Sequence, residues 1–256
     1  MDKKINSIKT LVGSYIVYSV LKDIKEMIKK TNENITDELS VPIHLPVEFE
    51  YDDRSKKLFN RAVRVLNGNQ QFLEILKQIF FDMKYFEFEK DPSVSSVGGA
   101  ENAHLIQMLG PRYIDLQKID LYSHTLNVLE QGIKYAEETG RPTGFSLSIL
   151  ACLLHDFGKS TKLRKLLDSG GNNKFSGYKS HSDISAIYVS DYLVNKIYEN
   201  EGLEDLSMHV FETIENIVKY HHPQKKEQRE NLEISFVMKA DEFARKEEKR
   251  MLKNKK

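Results

Sequence analysis

The sequence predicts an all-α protein, and two observations carry that expectation. Glycine and proline, the residues that most often stop a helix, number only 13 and 6 in 256 residues. Between them, long stretches repeat apolar residues at the three- and four-residue spacing of an amphipathic helix. No internal repeat is visible. With 40% hydrophobic and 30% charged residues, the chain fits one medium domain, or a core domain with a smaller extension.

Residues 5–30 read as one amphipathic helix, followed by a polar connection through Pro42 and Pro46. Two further helices are expected over 54–66 and 70–84, separated by Asn67-Gly68-Asn69. The alternation Tyr85-Phe86-Glu87-Phe88-Glu89 reads as a short strand, and the small and polar residues 91–100 as a linker. A soft domain boundary is therefore expected near residue 100. It separates a mostly helical N-terminal region, 1–100, whose role the sequence leaves open, from a second domain, 101–256.

The second domain is read as a succession of helices, and 100° per residue places its histidines. Over 121–138 the apolar arc includes Leu121, Leu126, Val128, Leu129 and Ile133, with His124 on its rim. Residues 145–156 are apolar almost all round, as a central helix would be, and run into His155-Asp156-Phe157-Gly158-Lys159. After a glycine-bearing loop over 169–177, Ser180-His181-Ser182-Asp183 has capping-box spacing, which puts His181 in a first turn. On 206–222 the stripe Val210, Ile214, Ile217 continues into His221, with His222 rotated by 100° and Pro223 ending the helix. A last stripe, Ile234, Val237, Met238 and Ala244, carries Asp241.

Composition limits the function. Lys plus Arg and Asp plus Glu both total 38, so anion binding must be local rather than a property of the whole surface. The one cysteine, Cys152, lies in the apolar run Leu150-Ala-Cys-Leu-Leu154, which rules out an internal disulfide and a cysteine-rich zinc site. The longest early apolar stretch, 11–21, falls well short of the roughly 20 residues of a membrane helix and has no small-residue cleavage site. A cytoplasmic, reducing setting and no membrane span are the resulting expectations.

Each polar residue on an apolar stripe has an ordinary reading: a core histidine with a hydrogen bond, or Asp241 paired with Arg245 one turn on. Burying a carboxylate costs several kcal/mol unless it is paired or bound to a metal, so Asp241 needs a cation. Taken together, His124, His155-Asp156, His181, His221-His222 and Asp241 each sit at a helix end or core rim. Imidazole plus carboxylate is the usual ligand set for Mn, Fe, Co, Ni or Zn.

That ordered series, His, then His-Asp-Phe-Gly-Lys, then His, His-His and Asp over about 105–245, resembles the HD-domain superfamily of metal-dependent phosphohydrolases, in its HDIG-like form. The resemblance implies an HD-domain helical bundle in which His124, His155, Asp156 and Asp241 hold one divalent cation, with Asp156 bridging. His181 and His221 would hold a second, with His222 as a further candidate. Two such cations against two carboxylates leave about two positive charges, which suits hydroxide attack on an anionic phosphate ester. Lys159 becomes a catalytic candidate as a phosphate contact, its ordinary reading being a solvated lysine at a helix end. The implied partner is a phosphate-ester small molecule or a short nucleic acid, and the implied activity a phosphodiesterase or nucleotidase.

Departures from named subfamilies narrow this. After His222 the chain reads Pro-Gln-Lys-Lys-Glu, with no Gly-Tyr-Pro of the cyclic di-GMP hydrolases. Lys159-Ser160 stands where guanosine-tetraphosphate hydrolases carry Glu-Asp, and the His-bearing extension associated with deoxynucleotide triphosphohydrolases is absent. Two other readings share the ligand series. One is an HD-type di-iron oxygenase. The other is a nucleic-acid processing or mobilisation protein, favoured by the seven Lys or Arg among residues 245–256, which equally read as a solvated helix end. A regulatory, non-catalytic HD fold is disfavoured because no ligand position is missing.

Overall fold

The computed structural model describes residues 44–66, 69–94, 115–140, 142–169, 180–199, 208–222 and 225–254. The helix expected over 5–30, the larger part of the linker and the glycine-bearing loop fall outside those residues. His44–Lys256 forms a compact unit by itself. Its described residues are helical with no strand, as the sequence predicts, and the single β-bridge pairs Pro92 with Asp120.

The first three helices start where a side chain satisfies a free N–H group. The Asp52 carboxylate accepts from Ser55 N at 2.7 Å ahead of α1 (Asp53–Val65). Asn69 caps α2 (Gln70–Tyr85), and Asp120 caps α3 (Leu121–Glu138) through Ser123 N at 2.6 Å. The central α4 (Ser146–Leu154) buries Ile149, Leu150, Leu153 and Leu154 completely, which its all-round apolar sequence requires. It is followed by a 3-10 turn, Phe157–Lys159, and α5 (Thr161–Ser169). Next come α6 (His181–Ile187), a π-helical turn over Tyr188–Leu193, and α7 (Val194–Tyr198). The chain closes with α8 (Met208–Lys219), α9 (Lys226–Glu230) and α10 (Leu232–Asn254).

The core is the packing of α3, α4 and α10, with α8 packed against α4 and α10. Gly132 permits the close approach: a Cβ there would lie 3.0 Å from Cys152 Sγ and 3.3 Å from the Phe236 ring. From the N-terminal region, α1 packs on α3 and α2 on α4. Residues 44–94 thus share one hydrophobic core with the helices that carry the histidines.

The short strand expected at 85–89 is not formed. Helix α2 runs through Tyr85, Glu87 takes a left-handed conformation at φ 57°, and Phe88–Lys90 is a 3-10 turn. The alternation itself is real, since Phe86 and Phe88 are both fully buried. The reversal at Glu87 turns both rings inward, and no neighbouring strand offers a ladder. The stretch read as linker also begins inside the core, with Asp91, Ser93 and Val94 buried. No described helix is long and apolar enough to cross a membrane.

Candidate metal centre

The structure brings all seven sequence-predicted ligands to one place. His124 stands in the first turn of α3, and His155 and Asp156 follow directly after α4. His181 opens α6, capped by Ser180, whose hydroxyl accepts from Asp183 N at 3.1 Å, as the capping-box spacing predicts. Helix α8 ends at Lys219, short of the expected 222, so His221 and His222 sit in a turn where the backbone can aim both rings. Asp241 projects from the second and third turns of α10.

Asp156 is the centre of this arrangement. Its Oδ2 lies 3.4 Å from His124 Nε2 and 3.2 Å from His155 Nε2, while Oδ1 lies 3.2 Å from His181 Nε2 and 3.9 Å from His221 Nε2. Asp241 Oδ1 is 3.3 Å from His124 Nε2. Two groups of potential ligand atoms result, each within 4.8 Å internally: His124, His155 and Asp156, and His181, His221 and His222.

The hydrogen bonds on the other side of the rings decide which nitrogen faces inward. His155 Nδ1 meets the carbonyl of Cys152 at 2.9 Å and His221 Nδ1 that of Val218 at 2.6 Å. A carbonyl only accepts, so both Nδ1 atoms carry hydrogen and each ring turns its Nε2 atom to the centre. Burial holds His181 and His221 below the usual imidazole range and keeps them neutral, as metal ligation requires.

The site passes a direct test of fit for a metal ion. Nε2 of His124, His155, His181 and His221 and Oδ1 of Asp156 and Asp241 are buried without a hydrogen-bond partner. Buried polar atoms are rarely left so, and six of them converging on one spot fit a bound cation. Burial alone would push Asp156 and Asp241 up. Instead, His155 and Lys159 beside Asp156, and His124 and Arg245 beside Asp241, hold both carboxyls well below their ordinary range. Burial and Arg245 oppose a charge on His124, but Asp156, Asp241 and Glu248 raise its pKa to about 9. Three carboxylates around one ring thus demand a positive charge, from a proton or from a metal.

Sequence reasoning missed Glu248. Its Oε1 accepts from His124 Nδ1 at 2.8 Å and from Asn127 Nδ2 at 2.7 Å, fully buried. The signal was present, because Glu248 lies seven residues, two helical turns, beyond Asp241 on the same stripe. Such a carboxylate fixes ring orientation and raises ligand basicity. Lys159 is neither free nor solvated: Nζ donates to Asp156 Oδ2 at 2.6 Å and to the Ser93 carbonyl at 3.0 Å. Gly158 has a structural reason of its own. A Cβ there would fall 2.0 Å from the His181 carbonyl oxygen, and its N–H donates to Ser185 Oγ at 2.7 Å, so the turn after Asp156 can lie against the start of α6 only without a side chain.

An all-helical scaffold that buries histidines and aspartates from five segments around one carboxylate belongs to the class of metal-centred α-helical proteins. Residues 121–246 match the model of the HD domain, and that segment of the chain is an HD domain. The family is one of metal-dependent phosphohydrolases. No curated protein and no solved structure gives a match. The matched segment contains all seven candidate ligands, and residues 44–94 precede it.

Proposed function

We propose that this protein is a phosphodiesterase of the HD class that holds two divalent transition-metal ions and acts on a nucleotide or a cyclic or short oligonucleotide. His124, His155, Asp156 and Asp241 hold one ion, and His181, His221 and His222 the other. The observation that carries this reading is the division of Asp156, one oxygen toward His124 and His155 and the other toward His181 and His221. A carboxylate placed so is a natural bridge between two ions.

Bound metal lowers the pKa of water and stabilises negative charge on phosphoryl oxygens. The protein's own residues do the rest. His124, His155, Asp156 and His221 are almost wholly buried, whereas Asp241, Lys159 and His181 keep a partly exposed edge, which defines the side from which substrate arrives. Lys159, held beside Asp156, orients a phosphate oxygen there. Three of the seven cations of the basic C-terminal stretch have partners within the chain. Arg245 faces inward, and Lys246 and Arg250 pair with Glu242 and Glu247 along α10.

The test is metal analysis of the purified protein with a screen of bis(4-nitrophenyl) phosphate, mononucleotides, cyclic dinucleotides and short RNA. Two equivalents of metal with diester hydrolysis are expected. One equivalent with activity on monoesters alone would return the site to a single-metal nucleotidase. A di-iron absorption band with oxygen uptake would make it an oxygenase.

A further inference from the structure

Arg245 lies beside the proposed ligands Asp156 and Asp241 without a role in holding a metal. Its guanidinium is pinned on one edge: Nη1 donates to Ser93 Oγ at 2.9 Å and to Glu248 Oε2 at 3.0 Å, and Nη2 donates to the Ser93 carbonyl at 2.9 Å. Of five N–H donors, these three leave the Nε hydrogen and one on Nη2. Those adjacent nitrogens face the centre, Nε 3.7 Å from Asp241 Oδ1 and Nη2 4.0 Å from Asp156 Oδ2, beyond hydrogen-bond length. A planar fork is held in place with two donors unspent. Lys159 Nζ approaches the same Asp156 oxygen and shares the Ser93 carbonyl.

We infer that Arg245 is a substrate-binding residue, its Nε and Nη2 donors taking oxygens of the substrate's phosphate group beside Lys159. The inference rests on the phosphodiesterase reading and deepens it. A structural ion pair would need only the charge of Arg245, whereas the fixed orientation and the two free adjacent donors suit the bidentate geometry of a phosphate. The anchor, Ser93, is fully buried and lies ahead of the matched HD segment. It is held by its own N–H to the Ile119 carbonyl at 2.9 Å. The stretch around Ser93 is therefore part of the substrate site, because it supplies the acceptor that orients both cations.

The experiment measures binding of inorganic phosphate to the metal-loaded full-length protein by calorimetry, alongside metal content and KM and kcat for bis(4-nitrophenyl) phosphate. In Arg245→Gln, phosphate affinity is expected to fall roughly ten- to hundred-fold, the worth of hydrogen bonds to a charged group, with metal content unchanged. KM rises by a similar factor. Arg245→Lys keeps a charge for Glu248 and guards against misfolding of the first variant; it too loses phosphate affinity, because it lacks the fork. Wild-type affinity in both variants overturns this inference alone, as does a loss that follows metal content, which would assign Arg245 to the support of Glu248 and His124. A metal-loaded wild-type protein that neither binds phosphate nor cleaves a diester overturns the phosphodiesterase reading along with it.

Discussion

The two ligand groups that meet at Asp156 are built differently. The first, His124 and His155 with Asp156 and Asp241, is anionic, and its surroundings are fixed: Glu248 and Asn127 orient His124, the Cys152 carbonyl orients His155, and Lys159 and Arg245 flank the carboxylates. The second, His181, His221 and His222, is neutral and contains only imidazoles apart from its share of Asp156. Of these rings, His221 is buried, His181 is intermediate and His222 exposed. Charge and preorganisation thus favour strong cation binding at the first group, and exposure makes the second the group whose ion exchanges more readily with solvent. The contrast teaches that one aspartate couples a rigid half-site to a softer one.

The hardest way to break that comparison is to remove what the halves share. Asp156→Ala is expected to empty both groups, since each loses an oxygen ligand and the first loses half its negative charge. Metal analysis after gel filtration checks it, and metal content equal to wild type would refute the bridging role. Next comes the second group alone. His221→Ala should weaken metal binding there by more than the ten- to hundred-fold of a supporting residue, while the first group stays occupied. His222→Ala should cost less, because that ring is exposed. A titration in which the His221→Ala protein still binds two ions with unchanged affinity would leave only the single-ion reading.

A smaller effect sharpens the first group. Glu248→Gln keeps a hydrogen bond to His124 but removes the charge that makes the ring a better donor of its lone pair. Metal affinity at the first group should fall about ten- to hundred-fold, with the second unchanged. Competition with a chelator dye resolves the two, and equal weakening of both groups would mean that they are not separate in energy.

Much of this was legible in the sequence, for physical reasons. Helical periodicity located α1, α2, α3 and α4 to within a few residues, because amphipathic faces and capping residues are local. It also placed His221 and Asp241 on inward stripes and His124 on the rim of one. What lay hidden depends on contacts remote in sequence. Ser93, in a stretch of small polar residues that reads as linker, is made functional by Lys159 and Arg245, 66 and 152 positions away. Glu248 sat inside a run of charges that reads as solvated surface, where only the two-turn spacing from Asp241 distinguishes it. The phenylalanines at 86 and 88 gave a true burial pattern with the wrong cause, since a left-handed residue between them mimics the period of a strand.

Another buried carboxylate measures what the cations do for Asp156 and Asp241. Asp82, on α2 and away from the ligand groups, is wholly buried and accepts from Tyr188 OH at 2.5 Å. Lys196 is the cation that acts on it, and its influence is weak beside the cost of burial, so its pKa rises to about 6 where Asp156 and Asp241 fall. A carboxyl whose folded pKa lies above its unfolded value of 3.8 is fully favourable to folding below pH 3.8. That contribution is lost as the pH climbs through about 6. At pH 7.5 the ionised group costs at most about 3 kcal/mol, from 1.36 kcal/mol per unit. Asp82→Asn keeps an oxygen for Tyr188 and removes the charge, so it should raise the melting temperature at pH 7.5 by several degrees, at about 2 to 4 °C per kcal/mol. The advantage should shrink through pH 6 and vanish near pH 4. Thermal melts across that range decide the matter. An equal effect at pH 4 and 7.5 would show that folding does not raise the Asp82 pKa, and a loss confined to pH 7.5 would show that a cation stabilises its charge as it does for Asp156.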